Sequence, residues 1–135
     1  MTLLVVDSSV VVAALVSQGE QATEWAEQTL ISASLAAPHV LYAEVANQLR
    51  RFAFNGLLSQ DVASLAYAQL CEMPIDLFPF EAVAERVWEL RKNVTAYAAW
   101  YVALAELLGA PLATLDLRLT RAAGPTCPFL TPPPA

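Results

Sequence analysis

Asp7, Glu44 and Asp116 are the residues of this chain whose types and settings could do chemistry. Asp7 closes the apolar run Leu3-Leu4-Val5-Val6, and Asp116 closes Leu112-Ala113-Thr114-Leu115. Glu44 sits among the polar positions of an otherwise apolar segment. Carboxylates gathered together repel one another unless a cation lies between them. Hard divalent ions such as Mg²⁺ or Mn²⁺ take oxygen ligands and retain several waters. An ion held this way activates a water and stabilises charge during in-line attack on a phosphodiester. Each acid also has a plain structural reading. Asp7 and Asp116 stand where an aspartate caps a helix by accepting from its unpaired N–H groups, and Glu44 fits equally a solvated face shared with Gln48 and Arg51. Spacing alone does not choose.

The elements that must position these acids can be read from pattern. Leu3 to Val6 shows no alternation, which fits a strand covered on both faces, as in the centre of a parallel sheet. Beyond the carboxyl ends of such strands lies the crevice where open α/β sheets bind ligands, so Asp7 would point into it. A second parallel strand over 112–116 would bring Asp116 to the same edge. Apolar residues continue over 10–16, long enough for a buried first helix, and Gly19-Glu20 interrupts the pattern. Helices are predicted over 22–31, 40–54, 60–70, 81–91 and 96–108, with short strands over 35–38, 75–78 and 129–130. In the 40–54 helix Leu41, Val45, Leu49 and Phe52 recur at helical spacing, while Glu44, Asn47 and Arg51 share the other side. Asn55-Gly56 supplies a left-handed C-cap, and Ser59 can cap the next helix. The 96–108 helix is apolar almost all round and so buried. Residues 117–122 allow one or two turns. Strands alternating with helices predict an α/β sandwich with a mostly parallel sheet of four to five short strands. With no linker or repeat, 1–130 reads as a single domain, and 131–135, with three consecutive prolines, as a disordered tail.

Composition narrows the function classes. The chain has 135 residues, 57% of them hydrophobic and only 15% charged, so some apolar surface should be buried against another chain. The formal charge is −6 and Lys92 is the single lysine, which excludes capture of nucleic acid by a broad basic stripe. Nucleic-acid chemistry here would lean on a few arginines and a bound cation. Arg50 and Arg51 could contact RNA phosphate or pair with nearby acids. Cys71 and Cys127 are too few and too far apart for a metal motif or disulfide framework, and read as free, mostly buried thiols of a reducing cytosol. No leader pattern precedes Asp7, and the apolar stretches fall short of the roughly 20 residues a bilayer span needs. A cytoplasmic protein without membrane contact is expected. His39 reads as structural near a helix start, and Trp25, Trp88 and Trp100 as core or interface residues.

Four blocks then carry a family resemblance. They are Val6-Asp7-Ser8-Ser9-Val10; Ala37-Pro38-His39 ahead of Glu44-Val45-Ala46-Asn47; Thr95-Ala96-Tyr97 leading into Tyr101-Val102-Ala103-Leu104-Ala105; and Thr114-Leu115-Asp116-Leu117-Arg118-Leu119. In this order they resemble the PIN-domain nucleases, and more narrowly the VapC toxins of type II toxin–antitoxin pairs, from about residue 3 to 130. The resemblance implies a three-layer α/β/α fold and a Mg²⁺- or Mn²⁺-dependent endoribonuclease. It also implies a homodimer neutralised by a VapB antitoxin whose C-terminal segment lies in an apolar groove over the acidic site. Asp7, Glu44 and Asp116 match three of the family's acids as catalytic residues and metal ligands. Thr114 and Ser9 match small hydroxyl residues that support them.

One position departs from that pattern. The family usually has an aspartate directly after the tyrosine of Thr95-Ala96-Tyr97, as a principal metal ligand beside Asp7; here it is Ala98. Loss of an electrostatic group at a reacting centre costs about a hundredfold to a thousandfold, judged from oxyanion sites, so the chain is expected to be inactive or nearly so. Because the other blocks are intact, a deliberate Asp→Ala change is preferred over a natural pseudo-enzyme that retains binding. Three other classes fit less well. A haloacid-dehalogenase-type site needs a second acid where Ser9 stands, a dinucleotide fold needs glycines near Asp7, and a receiver domain needs paired acids and a suitably placed lysine. The alternative from another class is a PIN-like module without turnover that dimerises and holds an antitoxin or RNA.

Overall fold

A computed structural model describes residues 2–17 and 19–134, so Met1, Gln18 and Ala135, the last of the expected tail, lie outside the described residues. Five strands form the sheet: β1 (Thr2–Val6), β2 (Ala33–Pro38), β3 (Ile75–Phe78), β4 (Leu112–Ala113) and β5 (Phe129–Leu130). Their order is β3-β2-β1-β4-β5, and every pairing is parallel. The helices are α1 (Ser8–Leu15), α2 (Glu20–Ile31), α3 (Leu41–Phe54), α4 (Gln60–Cys71), α5 (Ala84–Glu89), α6 (Ala96–Leu108) and α7 (Leu117–Thr120). One group, α1 to α4, packs together, while α5 packs on α6, and α6 lies against β1, β2 and β4. The result is the three-layer α/β/α architecture expected from sequence.

β1 is central because its side chains are apolar on both faces: Leu4, Val5 and Val6 are all buried. From β1 the chain winds outward to β2 and β3, then crosses back to place β4 on the other side. The strand order therefore reverses between β1 and β4, where open α/β sheets form their crevice. That reversal is what places the ends of β1 and β4 side by side.

Several elements match their predicted spans, among them β3, β5 and α6, which closes on Gly109 in the left-handed conformation. Ser59 caps α4 by accepting from Val62 N–H at 3.1 Å. Other elements differ. The first helix starts at Ser8 rather than residue 10, because Asp7 caps it directly. β2 is six residues long, extending back to Ala33. The predicted strand over 112–116 stops at Ala113: the Thr114 amide still reaches Leu130 O, but hydroxyls of Ser9 and Thr114 take the following two amides, Leu115 and Asp116, out of the ladder. Asp116 thus lies three residues beyond its strand. The predicted 81–91 helix is a 3₁₀ turn, Phe80–Ala82, followed by α5, because Val83 leaves helical geometry at φ −132° and bonds only three residues back, to Phe80.

One burial expectation is corrected, that for Cys71. Both cysteines are free, but only Cys127 is buried; Cys71 is exposed because Leu70 takes the core position at the end of α4. Trp25 and Trp100 pack against the core, whereas Trp88 is 67% exposed with the Arg91 guanidinium 4.5 Å over its ring. No helix among the described residues is long and apolar enough to cross a membrane.

Candidate active site

Asp7 leaves the end of β1 with its N–H still in the sheet, donating to Ala113 O at 3.1 Å. Its side chain is buried and anchored by neutral donors. Ser9 N–H donates to Oδ1 at 2.8 Å, the Ser9 hydroxyl donates to the same oxygen, and the Thr114 hydroxyl donates to Oδ2. Each hydroxyl is itself oriented by the β4–α7 segment: Ser9 Oγ accepts from Leu115 N–H at 3.0 Å, and Thr114 Oγ1 accepts from Asp116 N–H at 3.0 Å. A hydroxyl that accepts one amide turns its single proton elsewhere, here to the carboxylate. Ser9 and Thr114 therefore lock Asp7 to the end of β4. Burial pushes the Asp7 carboxyl above the usual aspartate range, and these hydrogen bonds only partly oppose it.

Glu44 occupies the first turn of α3 and is half-buried. Its Oε1 accepts from the phenol of Tyr101 on α6 at 2.6 Å. Burial first, then the carboxylates of Glu44 and Asp7, push that phenol far above its ordinary range, so Tyr101 stays a donor at any working pH. Tyr101 is thus hydrogen-bonded to Glu44 and feels the charge of Asp7, whose own oxygens are taken by Ser9 and Thr114. It carried no assigned role in the sequence reading. The available signal was a tyrosine at the buried position of an almost wholly apolar helix, where its O–H must find a partner.

Asp116 is exposed and caps α7, its Oδ1 accepting from Arg118 N–H at 3.0 Å and Leu119 N–H at 3.2 Å. Both plain structural readings are therefore real: Asp7 and Asp116 are helix caps. Ala98 is half-buried in the first turn of α6, its N–H donating to the Thr95 hydroxyl at 3.1 Å. Position 98 precedes Tyr101 by three residues, which sets the two on one face of α6. The acids all lie at helix N-termini, whose partial positive charge favours carboxylates.

Beside these acids opens a cleft of about 510 Å³, lined by Ser8, Ser9, Val12, Glu44, Asn47, Gln48, Arg51, Phe52 and Leu115. Arg50 faces elsewhere, its guanidinium 4.7 Å over the Phe54 ring. His39 is exposed, its backbone N–H tied to Phe78 O at 3.0 Å. The fit to a divalent ion is incomplete. The oxygen donors suit a hard cation, yet among the described residues no three Asp, Glu, His or Cys side chains form a group able to hold one. The structure bonds Glu44 to the Tyr101 phenol within the field of Asp7 and leaves Asp116 capping α7.

Comparison with known proteins gives this architecture a family. The PIN domain family model matches residues 4–125. The chain belongs to the PIN-domain family. Its relatives there are VapC ribonucleases. It is 36% identical over 131 residues to Ribonuclease VapC9 of Mycobacterium tuberculosis, covering 97% of this chain and 99% of that one. It is 40% identical over 125 residues to Ribonuclease VapC1 of the same organism, covering 91% and 92%. Among solved structures, VapBC2 from Rickettsia felis bound to a DNA fragment from their promoter superposes with a TM-score of 0.68 at 11% identity, over 98% of this chain and 100% of that one. PAE2754 from Pyrobaculum aerophilum gives 0.68 at 21%, over 96% and 90%. These likenesses are to the fold.

Proposed function

We propose that this chain is the toxin subunit of a type II toxin–antitoxin pair, built as a Mg²⁺- or Mn²⁺-dependent endoribonuclease whose turnover is disabled by Ala98. The observation that carries the reading is the position of that alanine. It lies in the first turn of α6, on the face of Tyr101, and Tyr101 meets both Glu44 and the field of Asp7. An aspartate there would add a third carboxylate to the pair. In this reading Asp7, Glu44, Asp116 and an acid at position 98 are the ion's ligands, and Ser9 and Thr114 hold Asp7. That no three-ligand group is found among the described residues supports a chain that is inactive or nearly so.

The intact remainder of the acidic set supports a deliberate replacement at position 98 over drift. The relatives' name, VapC ribonuclease, supports RNA as substrate. The VapBC2 assembly supports a VapB-type antitoxin as partner. Exposed Phe54, Leu57 and Leu65 supply apolar surface for a homodimer or that antitoxin. Residues 1–130 act as one domain with 131–135 as its tail.

The test is RNA cleavage with Mg²⁺ or Mn²⁺ by this chain and by Ala98→Asp, both free of antitoxin. Cleavage by the variant alone, lost again when Asp7→Asn is added, is the expected result. Equal cleavage by both chains would remove position 98 from the site. A second reading, a module that binds without turnover, is favoured by the absence of a three-ligand group; it gains if neither chain cuts.

A further inference from the structure

We propose that the face of α3 from Glu44 to Arg51 is the track for the RNA strand, with Arg51 seating a backbone phosphate and Asn47, Gln48 and Phe52 receiving the adjoining base. This rests on RNA being the substrate and goes beyond it by assigning the binding subsite.

Four observations carry the assignment. Among the described residues, Arg51 is the only basic one lining the cleft, and it shares that lining with Glu44. Its side chain is exposed and joins neither of the ion pairs found among the described residues, both of which belong to Arg86. Three other arginines are held by protein contacts, Arg50 on Phe54, Arg91 on Trp88 and Arg86 on Glu89 and Glu106, while the exposed Arg118 and Arg121 lie outside the cleft lining. Residues 44, 47, 48 and 51 fall on one side of a helix, and seven residues of helix put Arg51 about 10 Å beyond Glu44. A strand whose reacting phosphate lies at the acids therefore meets Arg51 at a neighbouring phosphate, not at the same one. The remaining lining selects the occupant. Two side-chain amides carry donors and acceptors suited to base edges, and a half-buried aromatic ring offers a stacking face. An acidic peptide would use the guanidinium but neither the amides nor the ring.

The chain can be tested as it stands, because binding does not require turnover. The readout is fluorescence anisotropy with a short labelled single-stranded RNA of mixed sequence across a salt titration. Arg51→Ala should weaken binding about tenfold, as expected for one charge-assisted contact. It should also make the slope of log K against log salt shallower by about 0.7, one counterion's worth on a single strand. Arg51→Lys should restore the slope, and Arg91→Ala should leave affinity and slope alone. A merely structural arginine would not move the salt slope. An unchanged slope in Arg51→Ala, no binding of RNA, or displacement of RNA by polyglutamate as readily as by unlabelled RNA would each overturn the track. Failure of the nuclease reading looks different. If Ala98→Asp cuts RNA and adding Arg51→Ala leaves KM unchanged, the track is wrong and the nuclease stands. If Ala98→Asp cuts nothing while Arg51-dependent binding persists, the nuclease falls and the track stands.

Discussion

The phenol of Tyr101 donates to Oε1 of Glu44 at 2.6 Å, joining a residue of α6 to one in the first turn of α3 across the carboxyl edge of the sheet. Asp7, at the end of β1, adds its field to the same phenol. One hydrogen bond thus ties together two helices that approach the edge from different parts of the sequence.

Removing that donor should be felt. Tyr101→Phe keeps the ring and leaves a half-buried carboxylate oxygen without its partner, which costs about 1–3 kcal/mol. Urea unfolding should show a lower midpoint with an unchanged m-value, since the surface exposed on unfolding is the same. Unaltered stability would mean that Glu44 finds water or another donor as readily as Tyr101.

Position 98 makes a prediction about ions that does not involve RNA. A ligand that binds only the folded state raises the melting temperature, by an amount that grows with the logarithm of its concentration over Kd. Mn²⁺ should therefore leave the melting temperature of the present chain unchanged and raise that of Ala98→Asp. Without the ion, the added aspartate gains about 0.3–1 kcal/mol from the helix N-terminus, opposed by repulsion from Asp7 and Glu44. A Mn²⁺-dependent rise in the present chain would show that its acids suffice.

How far this was legible in the sequence depends on the range of the interaction. The uniform apolar run of β1 and the all-round apolar pattern of α6 are local signals, and both elements form where expected. The short β4 was not legible, because what ends it is a pair of hydroxyls, one of them from Ser9 more than a hundred residues away. The exposed Cys71 was missed because one step around a helix separates it from buried Leu70. At the site, the acids were recognisable by their setting at strand and helix ends. The pairing of Tyr101 with Glu44, and the separation of Arg50 on Phe54 from Arg51 in the cleft, needed the three-dimensional arrangement, since adjacent residues on a helix face different neighbours.

Asp7 predicts a pH dependence. Burial is the main cause that raises its folded-state carboxyl above the ordinary value of 3.8, so the protonated form favours the folded chain. That contribution is fully present below pH 3.8 and is lost as pH rises through the raised folded value. In chelator, Asp7→Asn should therefore be more stable than the parent at neutral pH, with the difference shrinking as pH falls toward 3.8. Stability curves measured by denaturant across that window check it. A parent that outlasts Asp7→Asn at neutral pH would mean the donors of Ser9 and Thr114 outweigh burial.

Glu106 predicts the opposite sign and a different location. Its carboxylate is held by Arg86 Nε at 2.7 Å and accepts Thr126 N–H at 2.8 Å, while Arg86 also reaches Gly124 O at 2.8 Å. Together they fasten the segment that leads into β5. Burial works to raise the Glu106 carboxyl, but the Arg86 and Thr126 hydrogen bonds prevail and leave it below the ordinary value of 4.5. Its contribution is present above pH 4.5 and lost as pH falls through the lowered folded value. Glu106→Gln should cost about 1–3 kcal/mol at neutral pH. The loss should appear first in hydrogen exchange of the Leu112 and Thr114 amides, which donate to Pro128 O and Leu130 O. Faster exchange there, with the β1–β2 amides still protected, would identify β5 as the unit that Arg86 and Glu106 clamp. Uniform loss of protection across the sheet would instead make the pair part of the global fold.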